Sequence, residues 1–239
     1  MAAPKIVLYT NHACPWAHRA HIALRELNLP YSEEIIDLSL PRTPAYLALN
    51  PRGLVPALTY NSNIITESAI VAHFLADAHP SHLLPPSAAP GGALRRARIA
   101  FFIDTFMAKV HNLFIKSLGF ATEEEERMKA DKLIAAIARD VEPLLADAGP
   151  FFGGAQKLTL AEVQTGSFIL RLLAYPKYEG LLPASLIMRY EEETPNFWKW
   201  ANAVVKEESV NYIWDEAKVA ASSKAKIDRA RAATATAAK

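Results

Sequence analysis

Lys5-Ile-Val-Leu-Tyr9 and Cys14-Pro15-Trp16-Ala17-His18-Arg19, separated by Thr10-Asn-His-Ala13, decide how this chain folds. The first run is apolar and reads as a strand, and Ala17 to Leu27 carries the periodicity of an amphipathic helix. Proline is tolerated in a helix's first turn, where its missing N–H would have had no intrahelical partner. Pro15 therefore marks the helix start and puts Cys14 at its N-terminal lip. Unpaired N–H groups and the positive end of the helix dipole favour thiolate over thiol there, so Cys14 is the candidate nucleophile. The competing reading is a small buried hydrophobe, the usual role of a free cysteine.

Working outward, Pro30 to Asp37 reads as a second strand, parallel to the first through the helical crossover. Pro41 to Leu49 suggests a short helix that ends at the turn Asn50-Pro-Arg-Gly53. Leu54 to Tyr60 and Ile64-Ile65 read as two strands about Asn61-Ser-Asn63, with Pro56 confined to an edge or a strand start and a cis Val55–Pro56 bond expected. Glu67-Ser68 then opens a helix that runs to about Leu75. The order βαβαββα is the thioredoxin-like layout. Residues 1–80 form this α/β unit, and 81–92, rich in proline, alanine and glycine, read as a linker. Residues 93–239 read as all-helical. In that half Thr122 and its glutamates start one helix, and Thr159-Leu-Ala-Glu162 is a capping box with Leu158 and Val163 spaced as a hydrophobic staple. Thr194-Pro195 is expected to cap another helix, and the tail from Asp228 is expected to fray.

The 239 residues, 51% of them hydrophobic, suffice for two modest cores. A net charge of +1 gives no electrostatic footprint for nucleic acid. The single cysteine excludes an internal disulfide. Neither a signal peptide nor a run of the roughly 20 apolar residues needed to span a bilayer is found, so a cytoplasmic, reducing setting without membrane association is expected.

With these motifs in place, the chain resembles the cytosolic glutathione transferases, and the omega class in particular. Cys14-Pro-Trp-Ala-His-Arg19 is similar to the omega Cys-Pro-Phe-Ala motif, Asn50 to Pro56 to the family's cis-proline loop, and Glu67-Ser-Ala-Ile70 to its glutathione-binding turn. The resemblance implies the glutathione transferase fold, a homodimer, and glutathione as co-substrate. Ser68 would hold the γ-glutamyl carboxylate and Glu67 the ammonium. Val55, beside Pro56, would pair with the cysteinyl backbone, Arg42 would reach the glycine carboxylate, and Trp16 would line the site. Residue 17 is alanine where a dithiol oxidoreductase has its second cysteine, so chemistry at Cys14 has to follow a monothiol route through a mixed disulfide. Expected substrates are glutathionylated molecules, glutathionyl ketones or dehydroascorbate. Glutathione conjugation and carriage of hydrophobic small molecules are the alternatives.

Phe114, Arg171, Tyr175 and Trp214 are candidates for the wall of a second-substrate pocket between the halves, with helical core as the alternative for the aromatics. Tyr9, where other classes carry a catalytic tyrosine, is expected to pack. His12, His18 and His21 flank the cysteine. Their spacing does not bring three or four ligands together, so no metal is expected and exposed or capping roles are assigned to them.

Overall fold

The computed structural model describes residues 4–237. Four strands, β1 (Ile6–Thr10), β2 (Ser32–Ile35), β3 (Ala57–Tyr60) and β4 (Asn63–Thr66), form one sheet in the order β2-β1-β3-β4. β1 runs parallel to β2, with Leu8 opposite Glu33, and antiparallel to β3, with Leu8 opposite Leu58. β3 and β4 form a hairpin whose two turn residues, Asn61 and Ser62, both have positive φ. Ile6, Leu8 and Thr10 alternate into the core from β1. The helices of this half are α1 (Pro15–Glu26), α2 (Pro44–Leu49) and α3 (Ser68–Ala78). The Val55–Pro56 bond is cis, as is Gly149–Pro150.

The second half is helical: α4 (Gly92–Thr105), α5 (Asn112–Ser117), α6 (Glu123–Ala136), α7 (Leu160–Ala174), α8 (Leu186–Glu193), α9 (Pro195–Val204), α10 (Glu208–Asn211) and α11 (Glu216–Ala237). Residues Phe106–His111 form a π turn that joins α4 to α5, and a second π turn, Ile137–Val141, follows α6 and packs against it. α7 is buried along almost its whole length, and α1 and α3 both pack on it. The two halves therefore share one hydrophobic core.

Three expectations are corrected. Among the residues from Ala17 to Leu24 every side chain is buried, so α1 is enclosed on all sides instead of presenting a wet face. The N–H groups at the start of α9 are capped from another element: the Glu142 carboxylate accepts from Asn196 N at 2.9 Å and Phe197 N at 2.8 Å, while the Thr194 hydroxyl turns back to Tyr190 O. The tail does not fray at Asp228, because its alanine, lysine and arginine are strong helix formers and α11 runs on to Ala237. The last two residues lie outside the described range.

Enclosing α1 buries His18 and His21, which were expected in exposed or capping roles, and His111 at the end of the first π turn is buried as well. His18 gives its Nε2 to Val210 O at 2.9 Å, and its imidazole is held well below the usual histidine range by burial, with Arg171 adding to the effect. His111 is pushed down to about 4 by burial and by Arg19. Both stay neutral in the folded chain, whereas in the unfolded chain they take up a proton near pH 6.5. Below about pH 6.5 the unfolded state then binds more protons and stability falls, by up to about 1.4 kcal/mol per pH unit for a group like His18. Urea midpoints are expected to drop between about pH 7 and pH 5, and the pH slope is expected to flatten in His111→Phe.

Candidate active site

Cys14 is the N-cap residue of α1. Its backbone is extended, its N–H donates to Asn11 O at 2.9 Å, and its carbonyl accepts from His18 N at 3.1 Å. The side chain makes no capping hydrogen bond, so the sulfur sits half-exposed beside N–H groups that have no intrahelical acceptor. It opens onto a cavity of about 430 Å³ lined also by Trp16, Arg42, Val55, Pro56, Glu67 and Ser68. All seven residues read from the sequence for this site thus meet in one place.

Local backbone chemistry explains why they meet. Ser68 is the first residue of α3 and is buried, and it follows Glu67, whose φ of 68° lies in the left-handed region. Glu67 pairs with Arg52, which holds its carboxylate at the cleft rim. Opposite, the Tyr46 hydroxyl and the Asn50 side chain both donate to Leu54 O, at 2.6 and 2.8 Å, and so anchor the segment before Pro56. The N–H and C=O of Val55 have no partner among the described residues, leaving a free backbone edge toward the cavity. Arg42 donates to three carbonyls, among them Gly53 O from Nε at 3.0 Å. Gly53 has φ of +63°, and a Cβ there would press within 3.1 Å of Arg42 Cγ.

The sequence reading missed Arg19. This side chain is buried, lines the cavity, and faces no carboxylate among the described residues. Its Nε donates to Gln164 O at 2.7 Å and one terminal nitrogen to Ser68 Oγ at 3.3 Å, and its guanidinium lies over the Trp16 ring. Burial alone pulls its pKa down to about 9, so it remains a cation at neutral pH without a counter-charge. The signal available in the sequence was its position on α1, four residues and one turn after Pro15.

Arg171 is the second buried cation. Its two terminal nitrogens donate to Ser167 O at 2.6 Å and to Ala13 O at 3.1 Å, beside Cys14. Burial lowers its pKa, and the neighbouring Tyr175 and the charge of Cys14 oppose that lowering.

The four candidates for the second-substrate wall stand differently. None of them lines the cavity at Cys14. Phe114 and Tyr175 are interior, their rings tilted against each other with centroids 6.2 Å apart, and the Tyr175 hydroxyl is 2.7 Å from Ser223 Oγ. Trp214 packs against the core and lies over the Arg171 guanidinium. Phe114 and Tyr175 are core, and Trp214 is partly buried beside them. Tyr9 leans on the Tyr46 ring, and burial followed by the Glu34 charge keeps its phenol above the usual range. It packs.

A thioredoxin-like sheet, a cysteine opening α1, a serine opening α3 and a helical half packed against them define the architecture of this chain. The description "Glutathione S-transferase, N-terminal domain" matches residues 13–78. Maleylacetoacetate isomerase of Pseudomonas aeruginosa is 30% identical over 61% of this chain and 72% of its own length. Glutathione S-transferase 3 of Glycine max is 25% identical over 90% of this chain and 91% of that one. Among solved structures, glutathione transferase Omega 2C of Trametes versicolor superposes with a TM-score of 0.77 and 29% identity, covering 93% of this chain and 98% of that one. The chain belongs to the glutathione transferase family.

Proposed function

We propose that this chain is an omega-type, glutathione-dependent thiol transferase that works through a mixed disulfide on Cys14. The observation that carries the reading is the half-exposed sulfur of the chain's single cysteine, aimed into the cavity it shares with Val55 and Ser68. A Cys14 thiolate attacks the glutathionyl sulfur of a substrate R–S–SG; the Cys14–S–SG bond forms and the substrate leaves as R–S⁻. A glutathione thiolate then attacks the glutathionyl sulfur of that adduct, which yields oxidised glutathione and regenerates the Cys14 thiolate. Glutathionylated molecules enter this step directly, a glutathionyl ketone leaves as its enolate instead of R–S⁻, and dehydroascorbate enters after adding glutathione at a carbonyl and leaves as ascorbate. The test is intact-mass measurement after incubation with oxidised glutathione: one adduct per chain supports the reading, and an unmodified chain overturns it.

Glutathione is held by the free backbone of Val55 and by side chains that keep part of their bonding capacity beside the contacts they already make. The N–H and C=O of Val55 take the cysteinyl backbone as an added strand would. The Ser68 N–H and hydroxyl take the γ-glutamyl carboxylate, Glu67 faces the ammonium, and Arg42 meets the glycine carboxylate. Arg19 supplies the counter-charge behind Ser68. Arg19→Leu is accordingly expected to raise KM for glutathione about 10- to 100-fold, the worth of a hydrogen bond to a charged group, and to change kcat less. An equal fall in kcat with unchanged KM would remove Arg19 from this role.

The protein acts as a homodimer divided at residues 1–80, 81–92 and 93–239. Ile64 on β4, Ile70 on α3, and Leu94 and Phe101 on α4 are exposed apolar side chains with no cover among the described residues. Phe101→Asp is expected to convert a dimer to a monomer in light scattering. A wild type that is already monomeric would refute the assembly. No helix among the described residues is long and apolar enough to cross a membrane. A thiol that must return to its reduced form in each cycle suits the cytoplasm.

A further inference from the structure

Three side chains that take no part in the cleft converge on the other side of α1, at the edge strand β2. His12 follows β1, His21 lies in the second turn of α1, and Glu33 is on β2. Glu33 Oε2 is 3.0 Å from His12 Nε2 and 3.8 Å from His21 Nε2. One ligand atom from each lies within 4.8 Å of the others. The two imidazoles meet edge to face, with centroids 5.3 Å apart, although the sequence had set them on different sides of the cysteine. Their separation along the chain concealed the cluster, because Glu33 comes from the next strand.

We propose that His12, His21 and Glu33 bind one divalent transition-metal ion, with zinc the expected occupant and water completing a tetrahedron. Two imidazoles and one carboxylate are the donor set of open zinc sites, whereas magnesium and calcium take oxygen donors. Bonds of about 2.0–2.1 Å put tetrahedral donors about 3.3–3.4 Å apart, so the ligands here need to shift by about 1.5 Å or less. The two that must shift can do so: the side chains of His12 and Glu33 are 43% and 37% exposed. His21, fully buried, is the fixed point. Its Nδ1 is 3.0 Å from the Tyr31 hydroxyl and its Nε2 is 2.8 Å from Thr10 Oγ1. In the tautomer that donates Nδ1–H to Tyr31, Nε2 accepts from the Thr10 hydroxyl, a bond the ion displaces when it binds, and the polar partner on the far nitrogen is the support that metal-bound histidines carry. The site is independent of the reaction assigned to Cys14.

The experiment is equilibrium dialysis of the intact chain against Zn²⁺, with bound metal measured by elemental analysis. It is run on wild type and on Cys14→Ser, because the thiolate two residues from His12 is itself a zinc ligand. One zinc per chain is expected in both. His12→Ala and Glu33→Gln, both partly exposed positions that leave the core intact, are each expected to weaken binding more than about tenfold, and Tyr31→Phe by about tenfold. His73→Ala, which removes the separate His73–Asp77 pair, is expected to leave binding unchanged. Co²⁺ in place of zinc is expected to give the intense visible absorption of a tetrahedral centre, lost in Glu33→Gln. Absence of bound zinc in Cys14→Ser, unchanged affinity in His12→Ala, or loss in His73→Ala would each overturn the site.

Discussion

Cys14→Ser is expected to abolish formation of the glutathionyl adduct and to bring thiol transfer down to the uncatalysed background. The argument rests on what a hydroxyl cannot do. Cys14 is the chain's single cysteine, so no second sulfur can take over the attack or resolve the adduct. Serine is close in size, and the position is half-exposed with no capping bond to lose, so folding should change by less than about 1 kcal/mol. The glutathione-holding groups around Val55 and Ser68 are untouched. Serine in the same place can still donate to or accept from a glutathione thiol, so conjugation of electrophiles is expected to persist or rise in the variant while thiol transfer disappears. Loss of both activities together would mean that the sulfur supports glutathione binding only. An adduct still formed in Cys14→Ser would place the reactive atom elsewhere.

Much of this site could be read from the sequence because its members are tied to local backbone events. Cys14 and Ser68 each open a helix, and Pro56 ends a turn that Asn50 and Gly53 announce. Such positions are set by propensities that act over a few residues. The element order βαβαββα followed in the same way from strand-length apolar runs and the prolines and glycines between them.

What could not be read is tertiary. Arg19 looks like a surface residue of an amphipathic helix until α7 closes over α1 and Gln164 O takes its Nε–H. His18 is concealed by its bond to Val210 O of α10, and His21 by Thr10 and Tyr31 of its own half. Arg171 was expected in the wall of a second-substrate pocket, and its place beside Cys14 was not legible. Its guanidinium reaches Ala13 O across a sequence distance of 158 residues, and only the packing of α1 on α7 brings it to Cys14. Phe114 and Tyr175 illustrate the converse. An aromatic at helical spacing reads equally as pocket wall or core, and the approach of α11, whose Ser223 meets the Tyr175 hydroxyl, decides for core.

The largest expected effect on stability comes from a residue outside the cleft. Glu162 is fully buried and both its oxygens are committed: Oε1 accepts from Phe152 N at 2.8 Å and from Trp200 Nε1 at 2.7 Å, and Oε2 from Thr159 N at 2.8 Å and the Thr159 hydroxyl at 2.7 Å. The capping box foreseen in the sequence is therefore also a junction of α7, α9 and the loop at Phe151. Glu162→Ala strands two backbone N–H groups and an indole N–H in the interior, at a cost of about 3–5 kcal/mol. For a chain of this size that is a fall of roughly 10 °C in the thermal midpoint. Glu162→Asp should fall less, since the shorter side chain can keep the Thr159 cap while losing reach to Phe152 N or Trp200. Midpoints followed by circular dichroism check the order wild type, Asp, Ala; a midpoint for Glu162→Ala within about 2 °C of wild type would refute the junction. The effect should also travel to the cleft. α7 carries Gln164, which holds Arg19, Ser167, whose hydroxyl donates to Pro15 O at 2.8 Å, and Arg171, which reaches Ala13 O. Loosening the first turn of α7 therefore releases the groups that steady the start of α1, and Cys14 in Glu162→Ala is expected to alkylate more slowly below its midpoint, where the fold is still intact.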